Sequence, residues 1–224
     1  MTFLNLAEAK EELVIFLRNN DVLSTTVRGV TTDTDDTFSG DDAETNFIIS
    51  RTNVKNIRSL SIGADAQSLG THYTVDYNYD NSGTVACRIT FLTAPATGTD
   101  NITLSYDYGT DKIYPDYPRD DLKITNYPRV AVDILGGDSA ETVLGAGMLT
   151  TNLSFSIIVF DDSEKNIDTI IGLIRTAFLN NKKNFFYLRF ITIIGLGPTI
   201  PSPSRGDKIS SRTVDLMAPL NIEE

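Results

Sequence analysis

The stretch Leu149-Thr-Thr-Asn-Leu-Ser-Phe-Ser-Ile-Ile-Val-Phe-Asp161 decides the fold, because apolar side chains recur at alternate positions along it. A period of two predicts a strand with one buried face, here about 40 Å long at the usual rise per residue. Asp161, Asp162 and Ser163 then cap a helix predicted from Ser163 to Asn181. Its apolar face has helical spacing: Ile167, Ile170, Ile171, Ile174, Ala177 and Phe178.

A second amphipathic helix is predicted near the other end of the chain, from Leu6 to Asn20. Asn5 and Glu8 give it a start that resembles a capping box. Its apolar stripe also follows helical spacing: Leu6, Ala9, Leu13, Phe16 and Leu17. Because almost everything between the two helices reads as strand and turn, the sequence predicts one α+β domain, a small mixed sheet with two helices, interrupted by a β-rich insertion.

The insertion shows period-two patterning from Asn46 to Gly109, with turn signals between short segments. Five or six strands at this spacing predict a small all-β domain, a sandwich or barrel, which we interpret as an immunoglobulin-like sandwich. Tyr73, Tyr77 and Tyr79 lie on one of these strands. They favour a core and rim over a base-stacking platform, because acids such as Asp76 and Asp80 lie beside them.

We place the domain boundaries where composition changes. The discontinuous α+β domain is predicted at 1–44 and 114–224, and the inserted β-sandwich at 45–113. Within the first piece, Val22 to Val30 is interpreted as a short strand and 31–44 as a flexible crossing rich in Thr, Asp, Gly and Ser. After the insertion we predict a proline-punctuated return and, in order, a strand over Val130–Ile134, a glycine-rich loop over Gly136–Gly147, and strands over Phe186–Ile194 and Ile209–Met217.

Composition excludes several classes of protein. The formal net charge is −11, from 30 acids and 19 bases, so a broad nucleic-acid footprint is not expected. The single cysteine, Cys87, permits no intramolecular disulfide, and its alternating neighbours make it a small core residue. We find neither a secretion signal nor a membrane span, and we expect a soluble protein made in a reducing compartment.

Catalytic chemistry has few candidates. His72, the only histidine, lies at a strand start without an obvious partner, and a zinc site needs more Cys or His ligands than the chain has. The paired glycines lack a Walker lysine and a following helix, which argues against a phosphate-binding loop. The acids at Asp33, Asp35, Asp36, Asp41, Asp42 and Glu44 do not have EF-hand spacing, so a solvated loop is favoured over a calcium site. We therefore predict no enzyme, no cofactor and no metal.

Three segments carry a resemblance to a known family. Tyr127-Pro-Arg-Val-Ala-Val-Asp-Ile-Leu135, then Leu153-Ser-Phe-Ser-Ile-Ile-Val-Phe-Asp161, then the helix Asn166–Leu179 resemble the tail terminator (tail completion) proteins of long-tailed bacteriophages and archaeal tailed viruses, to which the lambda minor tail protein U belongs. The resemblance lies in the order of the helices and strands and in their hydrophobic pattern. It covers about 130 residues, in the two pieces of the chain that flank the insertion. The insertion departs from the compact form of the family and resembles small immunoglobulin-like decorations on virion proteins.

The resemblance implies a structural virion protein, assembled in the host cytoplasm, that forms a ring (a homohexamer) at the head-proximal end of the tail tube. Its partners would be further copies of itself, the tail tube protein, neck or connector proteins, and viral DNA passing through the lumen without sequence-specific binding; no membrane is implied. Each subunit would offer two different patches. The candidate interface positions are Gly136, Gly137, Gly145, Gly147, Leu149, Thr151 and Leu153, and ordinary monomer structure is the alternative for them.

Two other functions stay open. One is another ring component of the neck or tail, such as a head–tail connector, a tube subunit or a baseplate subunit. The other is a cell-surface binding module in which the β insertion is the working part, a function for which a secretion signal would be expected.

Overall fold

The computed structural model describes residues 6–34, 36–115, 127–141, 149–181, 185, 188, 191–201 and 209–219; at 6–8, 138–141 and 149–151 it describes the backbone alone. In chain order, the helices are α1 (Leu6–Asn19), α2 (Thr25–Arg28) and α3 (Glu164–Asn180). The strands are β1 (Val30–Asp33), β2 (Thr37–Gly40), β3 (Asn46–Ile48), β4 (Val54–Ile62), β5 (Asp65–Ala66), β6 (Tyr73–Asn81), β7 (Thr84–Phe91), β8 (Gly98–Gly109), β9 (Ile113–Tyr114), β10 (Arg129–Glu141), β11 (Leu149–Asp161), β12 (Thr192–Leu196), β13 (Ile200–Pro201) and β14 (Ser210–Pro219).

The chain divides into two compact units. Unit 1 is discontinuous and contains Met1–Leu23 and Lys112–Glu224, whereas unit 2 is the continuous segment Ser24–Asp111. The boundaries between the two units therefore fall between residues 23 and 24 and between residues 111 and 112. Composition predicts them between 44 and 45 and between 113 and 114 instead. Residues 24–44 belong to the inserted unit.

Unit 1 is a mixed sheet with two helices packed on one face. The strands lie in the order β12-β14-β11-β10-β9, with β13 beside β14, and only the β9–β10 pair is parallel. Alternate residues of β10, β11 and β14 join the apolar stripes of α1 and α3 in one core. Phe16 of α1 stacks on Phe178 of α3 with ring centroids 4.8 Å apart. The two ends of the chain thus share a core, in the mixed α+β arrangement predicted.

Unit 2 consists of two sheets that share a second core. One sheet has the order β1-β8-β4-β5, with β2 also paired to β8, and the other has the order β3-β7-β6. Their facing side chains form a single cluster, to which Ile89, Ile102 and Tyr106 contribute fully buried residues. The period-two segments of the insertion are confirmed as strands, and Cys87 is buried as predicted.

Two local predictions between residues 22 and 44 are wrong. The proposed strand over Val22–Val30 contains the one-turn helix α2, in which the Ser24 side chain accepts a hydrogen bond from the Val27 amide and Gly29 ends the helix at φ +72°. The proposed flexible crossing contains β1 and β2, both paired with β8. Non-local pairing with a long strand overrides the polar composition of this segment.

A buried cluster of charges fastens the two ends of unit 2 to each other. Arg28 donates hydrogen bonds from Nε and Nη2 to the two carboxylate oxygens of Asp111, at 3.0 and 2.8 Å, and from Nη1 to Asp107 at 2.8 Å. Arg58 and Thr32 donate to the other oxygen of Asp107, each at 2.7 Å. We call Arg28, Asp107 and Asp111 the clasp. All three are at most 2% exposed.

The backbone beside the clasp allows no added side chain. Val30 pairs with Gly109, so the outgoing and returning chains run side by side. A Cβ atom on Gly109 would lie 2.6 Å from the Gly29 carbonyl oxygen, and the residue has a φ of +134°. Only glycine satisfies both conditions, which fixes how closely the two ends approach.

The clasp makes unit 2 sensitive to acid. Burial raises the pKa of Asp107, but hydrogen bonds from Arg58 and Thr32 and the charges of Arg28 and Arg58 outweigh burial, and the pKa lies below its ordinary value. Because the folded pKa lies below the unfolded value of about 3.9, the carboxylate stabilises unit 2 above that pH. The stabilisation is lost as the pH falls through the folded pKa.

Replacing the central arginine tests the clasp. Arg28→Met leaves two buried carboxylates without their main counter-ion, and we expect unit 2 to lose about 3–5 kcal/mol of unfolding free energy. The control is Arg51→Met, because Arg51 pairs with Asp33 at 3.2 Å while remaining 55% exposed, and the expected loss is below about 1 kcal/mol. Urea unfolding followed by circular dichroism measures both; equal losses would contradict the role of the clasp.

The revised boundaries predict which fragment folds alone. A fragment of residues 24–111 keeps the complete clasp and both sheets, and we expect a cooperative thermal transition and dispersed amide resonances. A fragment of residues 45–113 keeps Asp107 and Asp111 but lacks Arg28, β1 and β2, so its buried carboxylates lose their partner. Equal cooperativity in the two fragments would show that the 24–44 segment is dispensable.

Candidate subunit interface

The β10–β11 hairpin contains the two longest strands of its sheet among the described residues. The two 13-residue strands stay paired from Arg129–Phe160 to Glu141–Leu149. At the usual rise per residue each is about 43 Å long. Among the described residues, which end at Pro219, β14 accompanies β11 as far as the pair Asn152–Pro219. We call the described pairs of β10 and β11 beyond that point the outer arm.

The glycine-rich loop predicted over Gly136–Gly147 is only partly a loop. Gly136 and Gly137 lie inside β10, which continues to Glu141, so the prediction is wrong for this part. A register shift between Ile134 and Gly136 forms a bulge, in which Gly136 adopts a φ of +150°. Glycine at a bulge allows the strand to continue where a larger residue would strain the backbone.

One edge of the sheet is open beside this bulge. β9 pairs only with Val130 and Ala131, and among the described residues no other strand covers the outer edge of β10. Leu135 is 62% exposed there, next to exposed Gly136 and Gly137. An open edge offers unpaired backbone donors and acceptors, so it is the place where another chain can add a strand.

The other predicted interface positions lie partly outside the described residues, partly in the outer arm and partly in the core of unit 1. Gly145 and Gly147 lie outside the described residues. Leu149 and Thr151 belong to β11 in the outer arm, where the backbone alone is described. Leu153 is 3% exposed and belongs to the core of unit 1. Its side chain therefore supports the fold from inside and does not face a neighbouring subunit.

A second open edge lies at the opposite end of the same sheet. β12 pairs with β14 and, within the part of the chain that is described, with nothing else. It exposes Ile194 at 55% and Leu196 at 41%, with Met217 of β14 (38%) nearby. Sequence reasoning placed a strand over 186–194 and a loop from Gly195, and so missed this surface. Exposed and half-buried positions alternate through Leu196 in the structure, but Thr-Ile-Ile-Gly-Leu shows no polar–apolar alternation, so the sequence carries no local signal for this strand.

The described residues offer little to catalysis. His72 accepts a hydrogen bond at Nδ1 from the Ser68 amide, 2.9 Å away, which organises a turn. Asp161 is buried at the start of α3, where burial, aided by the neighbouring Asp162, raises its pKa. Asp161 Oδ1 accepts hydrogen bonds from the amides of Asp162 and Ser163, so it caps the turn before the helix.

Metal and membrane sites have no candidate in the described part of the chain. No group of three or more His, Cys, Asp or Glu residues is arranged there to hold a metal ion. None of the described helices is long and apolar enough to cross a membrane.

Comparison with known proteins identifies no relative of this chain. No protein-family model matches the chain. A search of curated proteins also finds no match.

The contrast between Leu153 and Leu135 is testable in the monomeric chain. Leu153→Ala removes a core side chain, and we expect about 2–5 kcal/mol less unfolding free energy. Leu135→Ala, at an exposed position, should change it by no more than about 0.5 kcal/mol. Denaturant unfolding at low protein concentration measures both. A small effect at Leu153 would show that its side chain is free to serve as an interface residue.

Proposed function

We propose that the chain is a structural virion protein that forms a ring, a hexamer, at the head-proximal end of a viral tail tube. There it ends tail polymerisation and joins the tail to the neck, and DNA passes through its lumen. The proposal rests on the tail-terminator resemblance of unit 1 and on one observation: among the described residues, a single sheet has two different edges without a neighbouring strand, each bearing exposed aliphatic side chains.

The strand directions suit a head-to-tail contact between these edges. β12, β14, β11 and β10 each run antiparallel to the next, so β10 and β12 point in opposite directions. A second copy related by rotation about an axis roughly along the strands would bring its β12 antiparallel to the first β10. The contact is heterologous, and repeated rotation closes a ring.

Charge is compatible with a lumen for DNA. On the face of the sheet opposite the helices, here called the helix-free face, the positions that alternate with core residues include Ser154, Thr213 and Asp215. The whole chain has a net charge of −11. The carboxylate of Asp215 and the negative net charge of the chain repel a phosphate backbone. Arg129 lies on the same face, but at its β9 edge, away from β14.

Unit 2 fits the role of a decoration on such a ring. Its two sheets share one core, and its two chain ends are clasped together, both features of a module that can be inserted into a host domain. We propose that it is an immunoglobulin-like sandwich. Its self-contained fold also favours the second candidate, a binding module in which unit 2 contacts a surface and unit 1 anchors it.

Edge variants test the ring. Wild-type protein, alone or with purified tail tubes, should reach six times the chain mass of 24.6 kDa by native mass spectrometry. Leu135→Lys and Ile194→Lys each place a charge in one half of every contact, which we expect to cost about 2 kcal/mol or more per contact. Leu92→Lys changes an equally exposed leucine of unit 2 (60%) and should leave assembly intact.

Mixing the two edge variants identifies the type of contact. Each retains one intact edge, so a head-to-tail interface predicts a heterodimer that goes no further. A symmetric edge contact would give no such dimer, and a chain that stays monomeric with tubes present would refute the ring. Immunogold labelling of virions with an antibody to unit 2 then separates the ring components: label at the neck end supports a terminator, whereas label along the tube or at the baseplate refutes it.

A further inference from the structure

Arginines in this protein usually have a carboxylate partner. Among the described residues, five of them lie within ion-pair distance of an aspartate: Arg28 with Asp107 and Asp111, Arg51 with Asp33, Arg58 with Asp107, Arg88 with Asp76, and Arg212 with Asp168. Arg129 is not among these five, and unlike the exposed Arg175 it is buried, with only 9% of its surface exposed.

The guanidinium of Arg129 lies against an aromatic ring, and one of its nitrogens has no hydrogen-bond acceptor among the described residues. Arg129 begins β10 on the helix-free face, opposite Phe160 of β11. Its guanidinium lies over the ring of Tyr114, 4.5 Å from the centroid. Nη1 is buried, and no atom of the described chain accepts a hydrogen bond from it. The ring attracts the positive charge through its face but cannot satisfy the N–H groups in the guanidinium plane.

A second cation lies beside it. Lys112 immediately precedes β9, and its carbonyl accepts a hydrogen bond from the Val130 amide at 2.9 Å. Its Nζ donates to the carbonyl of Tyr127, two residues before Arg129, at 3.3 Å. Two positively charged residues, Lys112 and Arg129, thus lie at the paired ends of β9 and β10. A guanidinium N–H group that is shielded from water costs free energy unless it donates a hydrogen bond to an acceptor. A charged acceptor forms the strongest such bond.

We propose that Arg129 anchors a binding site for an oxyanion, a phosphate or carboxylate group, at the β9 edge of the helix-free face. The planar guanidinium offers Nη1 and its neighbours to two oxygens of the anion, while Tyr114 holds the plane in place. Lys112, which precedes the neighbouring strand β9, supplies a second positive charge at this edge. The proposal is independent of ring formation, because every group in it belongs to one copy of unit 1.

Anion titration of the full chain tests the site. Sodium phosphate and sodium acetate are each added up to 50 mM against sodium chloride at equal ionic strength, and Tm is measured by calorimetry. Because a ligand that binds the folded state raises Tm, we expect at least about 2 °C beyond chloride for the wild type. A response to phosphate alone assigns a phosphate group, and a response to both assigns oxyanions in general.

Three variants locate the effect. Arg129→Gln should weaken the anion response at least about tenfold, and Arg129→Lys should retain part of it, because charge stays while the planar fork is lost. The matched control is Arg51→Gln: Arg51 also lies over a tyrosine, 5.3 Å from the ring centroid of Tyr108, but pairs with Asp33 at 3.2 Å. Its response should equal that of the wild type.

The result that overturns the site is a wild-type Tm that rises no more with phosphate or acetate than with chloride. An equal response in Arg129→Gln would also overturn it. If that variant does not fold, the Nε–H resonance of Arg129 in the wild type decides. A saturable shift with phosphate or acetate supports the site, whereas a resonance that ignores both shows that the chain itself supplies the acceptor.

Discussion

The arrangement of this chain depends on holding the two crossings between its units together. An inserted domain interrupts its host least when its first and last residues are neighbours, and here buried charge achieves this. Arg28 reaches across about 80 residues of sequence to Asp107 and Asp111. Just beyond the crossing, Arg18 of α1 donates a hydrogen bond to the carbonyl of Ile113 at 2.8 Å. One arginine on each side of the outgoing crossing therefore binds the returning chain.

Buried ion pairs add less stability than their short distances suggest, because desolvation offsets much of the attraction. Their effect here is geometric. Asp107 receives all of its hydrogen bonds only when β1 and β8 are in the observed register, since Thr32 and Arg28 must reach it from the outgoing chain. A slip of one residue would take these two donors out of position and leave Asp107 to Arg58 of β4. We infer that the clasp selects one register more than it strengthens the pair of strands.

The parts of the fold that sequence could predict are those with a local period. The α3 stripe and the alternation of β11 come from residues a few positions apart, and both are in the structure. The predictions failed where a distant partner decides. β1 and β2 are polar and have no strand signal of their own, because β8 supplies their pairing. The clasp joins positions too far apart for any spacing rule, and Arg129 differs from other arginines only through what surrounds it.

The candidate interface also contains residues whose surroundings could not be predicted from the sequence. Gly136 and Gly137 read as a loop, since glycine is a turn signal, yet a bulge keeps them in β10. Leu135 and Leu153 look alike as sequence, and only the sheet reveals that one is exposed and the other buried.

Open edges are a hazard that soluble proteins usually blunt with charge, proline or a covering element. At Leu135 and Ile194 the described edges carry aliphatic side chains instead, and the bulge in each strand only partly breaks the ladder. When two different edges of one sheet pair between copies of the chain, the copies form an open filament or, if the rotation closes, a ring. Strand twist adds a rotation with every strand, so each added copy turns by a fixed angle. Closure would cover both of the described edges, which is the physical reason for proposing a ring.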